Sequence, residues 1–303
     1  MNRFLALKKK PSPLITVLGY FDGVHLGHRS LLAAAEKLRK EYGGRIAVWT
    51  FDALPGKDIL TPSSLRAGWL LQYGADLVIF DSFERVKNMN PGRFTAEILR
   101  ENLGSLACVC GYTYHFGSGG AAELERLCRE NGILCITAGE IKGYAEGKSV
   151  TVCSTLIRRL VSEGKLADAY SLLGHHFAAC GEVVHGRQFG RTAGMPTINQ
   201  LPPHNGIMPP DGVYATYCMV EGGYYPSVTN IGWRPAPFRN RGSLFRKRRK
   251  NFRNAYYRLF RQSLRKKHSR RLYSPDPRRE KIRFCGRACP RGRKEYHNSK
   301  KML

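Results

Sequence analysis

Carboxylates are scarce in this chain. Its 303 residues carry 23 Asp and Glu against 50 Lys and Arg, a net charge of +27. The imbalance is local. From Pro235 to Leu303 there are 25 Lys and Arg but only three acids, Asp276, Glu280 and Glu295, so 22 of the 27 surplus charges lie in the last 69 residues. Long apolar runs are also missing, and nothing approaches the roughly 18 residues of a membrane span. The opening Met1–Pro13 lacks the apolar stretch and small-residue cleavage site of a secretory signal. A soluble cytoplasmic protein with no membrane partner is therefore expected. The nine cysteines are odd in number, irregularly spaced and free of Cys-x-x-Cys, which argues against a disulfide framework or a zinc site. There is no Gly-x-x-x-x-Gly-Lys-Ser/Thr phosphate loop and no internal repeat.

What is present is a two-domain length, with 42% apolar residues, enough to bury a core. Residues 14–174 alternate between two textures. Continuous apolar runs at Leu14–Leu18, Ile46–Phe51, Leu77–Phe80, Leu106–Cys110 and Ile133–Thr137 read as buried parallel strands. Between them Leu31, Ala34, Ala35 and Leu38 form one helical face, with Glu36 and Lys40 spaced i,i+4 on the other. Further helices are predicted at 63–73, 92–102, 120–130, 154–163 and 166–173. This pattern predicts an α/β domain with a doubly wound parallel sheet over 1–174. Beyond a boundary near 174–180 the texture changes. Val-, Tyr- and Thr-rich runs at Gly181–His185, Val213–Val220 and Tyr224–Thr229 predict a small antiparallel β domain over 175–235. Residues 236–303 keep neither period and predict a basic, disordered tail.

The densest chemistry is Gly19-Tyr20-Phe21-Asp22-Gly23-Val24-His25-Leu26-Gly27-His28, between the first strand and the first helix. Ligands bind at such carboxyl ends of parallel strands. The helix N-terminus there favours phosphate. Gly27 lets the backbone approach a phosphate, and Gly19 and Gly23 permit the turn. Imidazoles so placed can donate hydrogen bonds to charge developing on a transferring phosphoryl group. Asp22 either orients a histidine or caps the turn.

His25-Leu26-Gly27-His28 resembles the His-x-Gly-His signature of nucleotidyltransferases, and the longer string resembles that of bacterial bifunctional riboflavin kinase/FAD synthetases. Four more stretches agree in order: Thr50-Phe51-Asp52-Ala53-Leu54-Pro55, Gly111–Gly117, Ser154-Thr155-Leu156-Ile157-Arg158 and Gly181–Asn199. The resemblance implies transfer of AMP from ATP to FMN, giving FAD and pyrophosphate, with Mg²⁺. It implies His25, His28 and Arg158 as catalytic groups. Gly19, Phe21, Asp22, Gly23, Gly27, Ser154 and Thr155 are implied as nucleotide-binding. Taken alone, Ser154 and Thr155 read as a helix cap and Arg158 as a surface cation. The chain departs from the family at Ala53-Leu54 (Pro-His in the family), His115 (Arg) and Cys153 (Ser).

Gly190–Asn199 resembles the riboflavin kinase opening, which implies Thr197 and Asn199 as ligands of Mg²⁺–ATP and riboflavin as a further substrate. Gly212–Ala215 and Asn230–Pro235 continue the match. The family's following Glu-x-His segment, whose Glu is its kinase base, has no counterpart, so an incomplete barrel and an impaired kinase are expected. Two accounts of 236–303 compete: a basic extension that binds nucleic acid nonspecifically, or out-of-frame translation of a normal kinase ending. The abrupt onset and lost periodicity favour the second. Reading the other two frames past codon 235 separates them. Another His-x-Gly-His nucleotidyltransferase with a different phosphorylated substrate is the alternative enzyme.

Overall fold

The computed structural model describes residues 13–116, 119–184, 197–220, 223–234, 249–256 and 281–287. The chain forms two compact units: residues 1–159, 170–175 and 205–207, and residues 160–169, 176–204 and 208–303.

The first unit begins with β1 (Leu14–Leu18), α1 (Leu26–Tyr42), β2 (Arg45–Phe51), α2 (Ser63–Gln72) and β3 (Leu77–Asp81). Next come α3 (Phe83–Val86), α4 (Pro91–Arg93), a π-helical stretch Phe94–Asn102, β4 (Ser105–Gly111), and the short pair β5 (His115–Phe116) and β6 (Gly119–Gly120). It continues through α5 (Ala121–Glu130), β7 (Leu134–Ala138), and the hairpin β8 (Lys142–Ala145) and β9 (Lys148–Thr151); α6 (Ser154–Ser162) belongs to it up to Arg159, and α7 (Leu166–Leu173) from Tyr170. Five strands pair in parallel in the order β3-β2-β1-β4-β7. The order reverses between β1 and β4, which opens a crevice at their carboxyl ends.

All five residues of β1 are buried, because both faces of the sheet are covered. Ile15, Val17, Ile46, Val48, Ala107 and Val109 pack with Leu31, Leu32, Ala35 and Leu38 of α1 on one face. Leu14, Leu18, Ala47, Trp49, Cys108 and Cys110 pack with Ile98, Leu99, Leu124 and Leu127 on the other. Cys108 and Cys110 are thus core side chains. On the outer face of α1, Glu36 pairs with Arg39 at 2.5 Å rather than with Lys40. The helix predicted over 92–102 is widened by one residue per turn from Phe94, with the Leu103 N–H reaching the Ile98 carbonyl at 3.0 Å.

The second unit contains β10 (Ala178–Val184), β11 (Thr197–Leu201), β12 (Gly212–Val220), β13 (Gly223–Arg234), β14 (Arg249–Tyr256) and β15 (Lys281–Arg287). These antiparallel strands close in the order β10-β11-β14-β13-β12-β15. Two expectations are corrected here. The barrel is not incomplete, and the region beyond 235 is not wholly tail, since β14 and β15 come from it. The physical reason is that strand pairing is made by backbone groups, so a basic segment serves as well as a neutral one. An open β10 or β13 edge would leave N–H and C=O groups unpaired. Alternation was also there to be read in Ile282 and Phe284, set between Lys281, Arg283 and Cys285. The disorder expected for 236–248, 257–280 and 288–303 lies outside the described residues. Within β12 and β13, the Thr216 hydroxyl is buried against Ser227 Oγ at 2.6 Å and Thr229 Oγ1 at 2.9 Å.

Candidate active site

The loop from Gly19 to His25 leaves β1 in the crevice and is wound tightly. Phe21 and Val24 hold φ of 58° and 41°, a region that costs a β-branched residue such as Val dearly. Gly23 has φ +84°, and a Cβ there would lie 2.9 Å from Leu60 Cδ1. The contacts that hold this shape converge on Asp22, which is 1% exposed. Its carboxylate accepts from the Leu60 N–H at 2.9 Å, the Thr61 N–H at 3.0 Å and Arg158 Nη2 at 2.6 Å. The Gly23 N–H donates to Thr61 Oγ1 at 3.0 Å. Asp22 therefore neither orients a histidine nor caps its own turn. It ties the loop to residues 60–61 and to α6.

His25 is the N-cap of α1, its Nδ1 accepting from the His28 N–H at 3.3 Å. That bond requires the Nε2–H tautomer, which leaves one N–H to offer. The His25 and His28 rings stack, with centroids 3.6 Å apart and planes 17° from parallel. Gly27 makes this possible, since a Cβ there would sit 3.2 Å from the His25 ring. Burial, then the neighbouring His175 and Arg158, lower the His25 pKa to about 3. Burial, then His25, Arg66 and Arg158, hold His28 well below its ordinary value. Both imidazoles are neutral at neutral pH. His28 Nδ1 is buried and makes no hydrogen bond.

Ser154 opens α6, and its hydroxyl donates to the Asp22 carbonyl at 2.8 Å. Thr155, one residue on, is exposed. Arg158, a turn later, reaches Asp22 through Nη2 while its Nε stays buried and unpartnered. Thus His25, His28, Asp22, Ser154 and Arg158 are brought together, across more than 120 residues of chain. Gly19 lies at the end of β1, its N–H on the Trp49 carbonyl at 3.4 Å. Phe21 is fully buried, 5.1 Å from His28 between ring centroids. Of the four departures, Ala53, His115 and Cys153 are exposed and Leu54 is half-buried. His115 Nδ1 lies 2.7 Å from the Thr113 carbonyl oxygen.

Two features escaped the sequence reading. One is a cavity of about 210 Å³ walled by Trp49, Phe51, Phe83, Phe94, Tyr114 and Phe116. That is below the roughly 300 Å³ at which ordinary ligand sites begin, so it suits a flat ring system rather than a whole dinucleotide. Its signal was the aromatic residues at the carboxyl ends of β2 and β4. The other is Arg66 of α2, fully buried; no local pattern marks it. The described cysteines are all free, and Cys108, Cys128 and Cys135 hold their sulfurs within 4.8 Å of one another in the core.

In the second unit Thr197 and Asn199 sit two apart on β11 and so share a face. Asn199 is 7% exposed. The rest of the kinase-like opening, 185–196, lies outside the described residues.

The FAD synthetase family model matches residues 7–156, and the riboflavin kinase family model matches residues 173–254. The second match passes Pro235, where the motif reading stopped, and Arg158 falls two residues beyond the first. The bifunctional riboflavin kinase/FMN adenylyltransferase of Bacillus subtilis is 30% identical over 246 residues, covering 78% of this chain and 77% of that protein. The Escherichia coli K12 protein of the same description is 32% identical over 231 residues, 73% of each chain. A solved structure described as a macrolide-efflux protein from Streptococcus pneumoniae aligns with TM-score 0.68 at 24% identity, over 92% of this chain and 86% of that one, and shows the fold alone. No helix among the described residues is long and apolar enough to cross a membrane. With both halves matched in the same order, the chain belongs to the bifunctional riboflavin kinase/FMN adenylyltransferase family.

Proposed function

We propose that the first unit forms FAD by in-line transfer of AMP from ATP to FMN. The observation that carries this reading is the stacked His25–His28 pair at the N-terminus of α1, set beside the Asp22-anchored Arg158. A phosphate oxygen of FMN attacks the α-phosphorus of ATP. The bond to the bridging oxygen breaks, and pyrophosphate leaves. Negative charge grows on the equatorial oxygens and on the leaving group. The Nε2–H of neutral His25, the ring of His28 and the free N–H groups of α1 face that charge and need no reorganisation to meet it. Arg158 offers its remaining donors to the departing phosphates while Asp22 holds it in place. Ser154 and Thr155 add the first turn of α6, and Gly19, Phe21, Gly23 and Gly27 shape the nucleotide side. The aromatic cavity takes the flavin ring by stacking and apolar contact.

The second unit is read as the riboflavin kinase domain. Thr197 and Asn199 present hard oxygen donors on one face of β11, a donor set that suits Mg²⁺. Magnesium there would neutralise the transferring phosphate of ATP. Neither β14 nor β15 contains a carboxylate, so the closing strands supply no base for the riboflavin hydroxyl. We read the kinase as impaired, by about 10²–10⁴-fold.

One assay tests both halves. With FMN, ATP and Mg²⁺ the chain should form FAD, and His28→Ala should lower the rate about 10²–10³-fold. Equal rates would sink the role of His28. With riboflavin in place of FMN, FMN should appear far more slowly than FAD does; comparable rates would remove the kinase defect.

A further inference from the structure

Arg66 lies on α2 with none of its surface exposed. Arginine is almost never so buried unless paired. Yet no carboxylate forms an ion pair with it among the described residues. Its Nη2 donates to the carbonyl oxygens of Phe51 and, at 3.2 Å, Asp52. Its Nε and Nη1 are buried and make no hydrogen bond. The guanidinium lies over the Tyr20 ring, 4.5 Å from its centroid, and 5.4 Å from that of Phe80. The Tyr20 hydroxyl is likewise buried without a partner. The Arg66 charge is close enough to His28 to help lower that imidazole's pKa.

A buried, unpaired cation is strongly unfavourable unless something anionic arrives. The donors left open here are a guanidinium edge and a phenolic hydroxyl. An anion with several acceptor oxygens satisfies both, and the planar fork matches phosphate. The site has two phosphate-bearing substrates to distribute. Arg158 is fixed by Asp22 on the α6 side. Arg66 is fixed instead to the backbone of Phe51, whose ring walls the aromatic cavity. A molecule with a flat ring in that cavity and a phosphate at its edge is FMN.

We infer that Arg66, assisted by the Tyr20 hydroxyl, binds the 5′-phosphate of FMN and orients it as the attacking group. This rests on the adenylyl-transfer reading above. Neutralising part of the acceptor's charge also lessens its repulsion by the ATP phosphates, and a forked contact aims one free oxygen at the α-phosphorus.

The test is steady-state FAD formation and thermal unfolding of the full chain as wild type, Arg66→Met and Arg66→Lys. In R66M the KM for FMN should rise about 10–100-fold while the KM for ATP moves less than threefold, and saturating FMN should no longer raise the Tm. R66K keeps the charge without the fork and should fall between. Relieved of an unpaired buried charge, R66M should unfold no earlier than wild type in the absence of ligand. An unchanged KM for FMN overturns the inference, as does a rise confined to ATP. A lowered Tm without ligand, with the FMN-induced rise intact, marks a merely structural role and also overturns it. If R66M does not fold, R66K decides: a KM for FMN within twofold of wild type refutes the fork. If the wild type forms no FAD, the functional reading and this inference fall together. If it does and R66M matches its KM for FMN, this inference alone falls.

Discussion

Asp22 concentrates the energetics of the candidate site in one carboxylate. It is fully buried, and its partner Arg158 is 19% exposed at the side chain, so the pair is screened only on one side. Asparagine keeps an oxygen for the Leu60 and Thr61 N–H groups but removes the charge that pairs with Arg158, leaving a largely buried guanidinium uncompensated. Asp22→Asn should therefore cost about 3 kcal/mol, the lower end of the range for breaking buried pairs, and weaken ATP binding, read by urea melts and nucleotide titration. The histidines make a second prediction. His25 titrates near 3 in the folded chain against 6.5 when free. Between those values the unfolded chain binds the extra proton. Stability from His25 is thus complete above about pH 6.5 and is lost as pH falls toward 3. The expected slope approaches 1.4 kcal/mol per pH unit and should flatten in His25→Gln. Asp22 was visible in the sequence as a motif residue, but its role was not, because its partners lie 38 and 136 positions away.

At the scale of elements, the parallel strands were the most legible feature. The run Leu14–Leu18 is β1 to the residue; the runs for β2 and β3 differ from the strand by one residue at one end, and those for β4 and β7 by one residue at each end. The reason is that each run is continuous and apolar: β1 is buried at every residue, and β3 and β7, though only partly buried, keep the same texture. The β8–β9 hairpin was missed because its strands are four residues each and carry no apolar run. The positive φ of Glu146 (52°) and Gly147 (75°) shows that the Glu-Gly pair was its signal. The strained β1–α1 loop belongs to this scale as well. Gly23→Ala places a Cβ at φ +84° and against Leu60. It should destabilise the first unit by about 1–3 kcal/mol and displace His25, which differential scanning and FAD formation would register together. A variant as stable as wild type would show the loop to be more pliant than its geometry implies.

For the whole molecule, the +27 charge has a double meaning. Most of it lies beyond Pro235, yet that region contributes β14 and β15 to the barrel. Truncation after Arg234 removes two of six strands and leaves β10, β11, β12 and β13 with open edges. The truncated chain should keep FAD formation, lose any weak kinase activity, and show rapid proteolysis within residues 176–234. Protection of that segment would mean that the barrel stands without its basic strands.

The motif order, the two-domain plan and the five central strands were readable from the chain alone, because each is written in local pattern or in contiguous residues. The grip of Asp22 on Arg158, the aromatic cavity, the unpaired burial of Arg66 and the closing of the barrel were decided by tertiary structure. Each depends on residues far apart in sequence meeting where water is excluded. There a charge or an open backbone group must find a partner, and local pattern does not name which one.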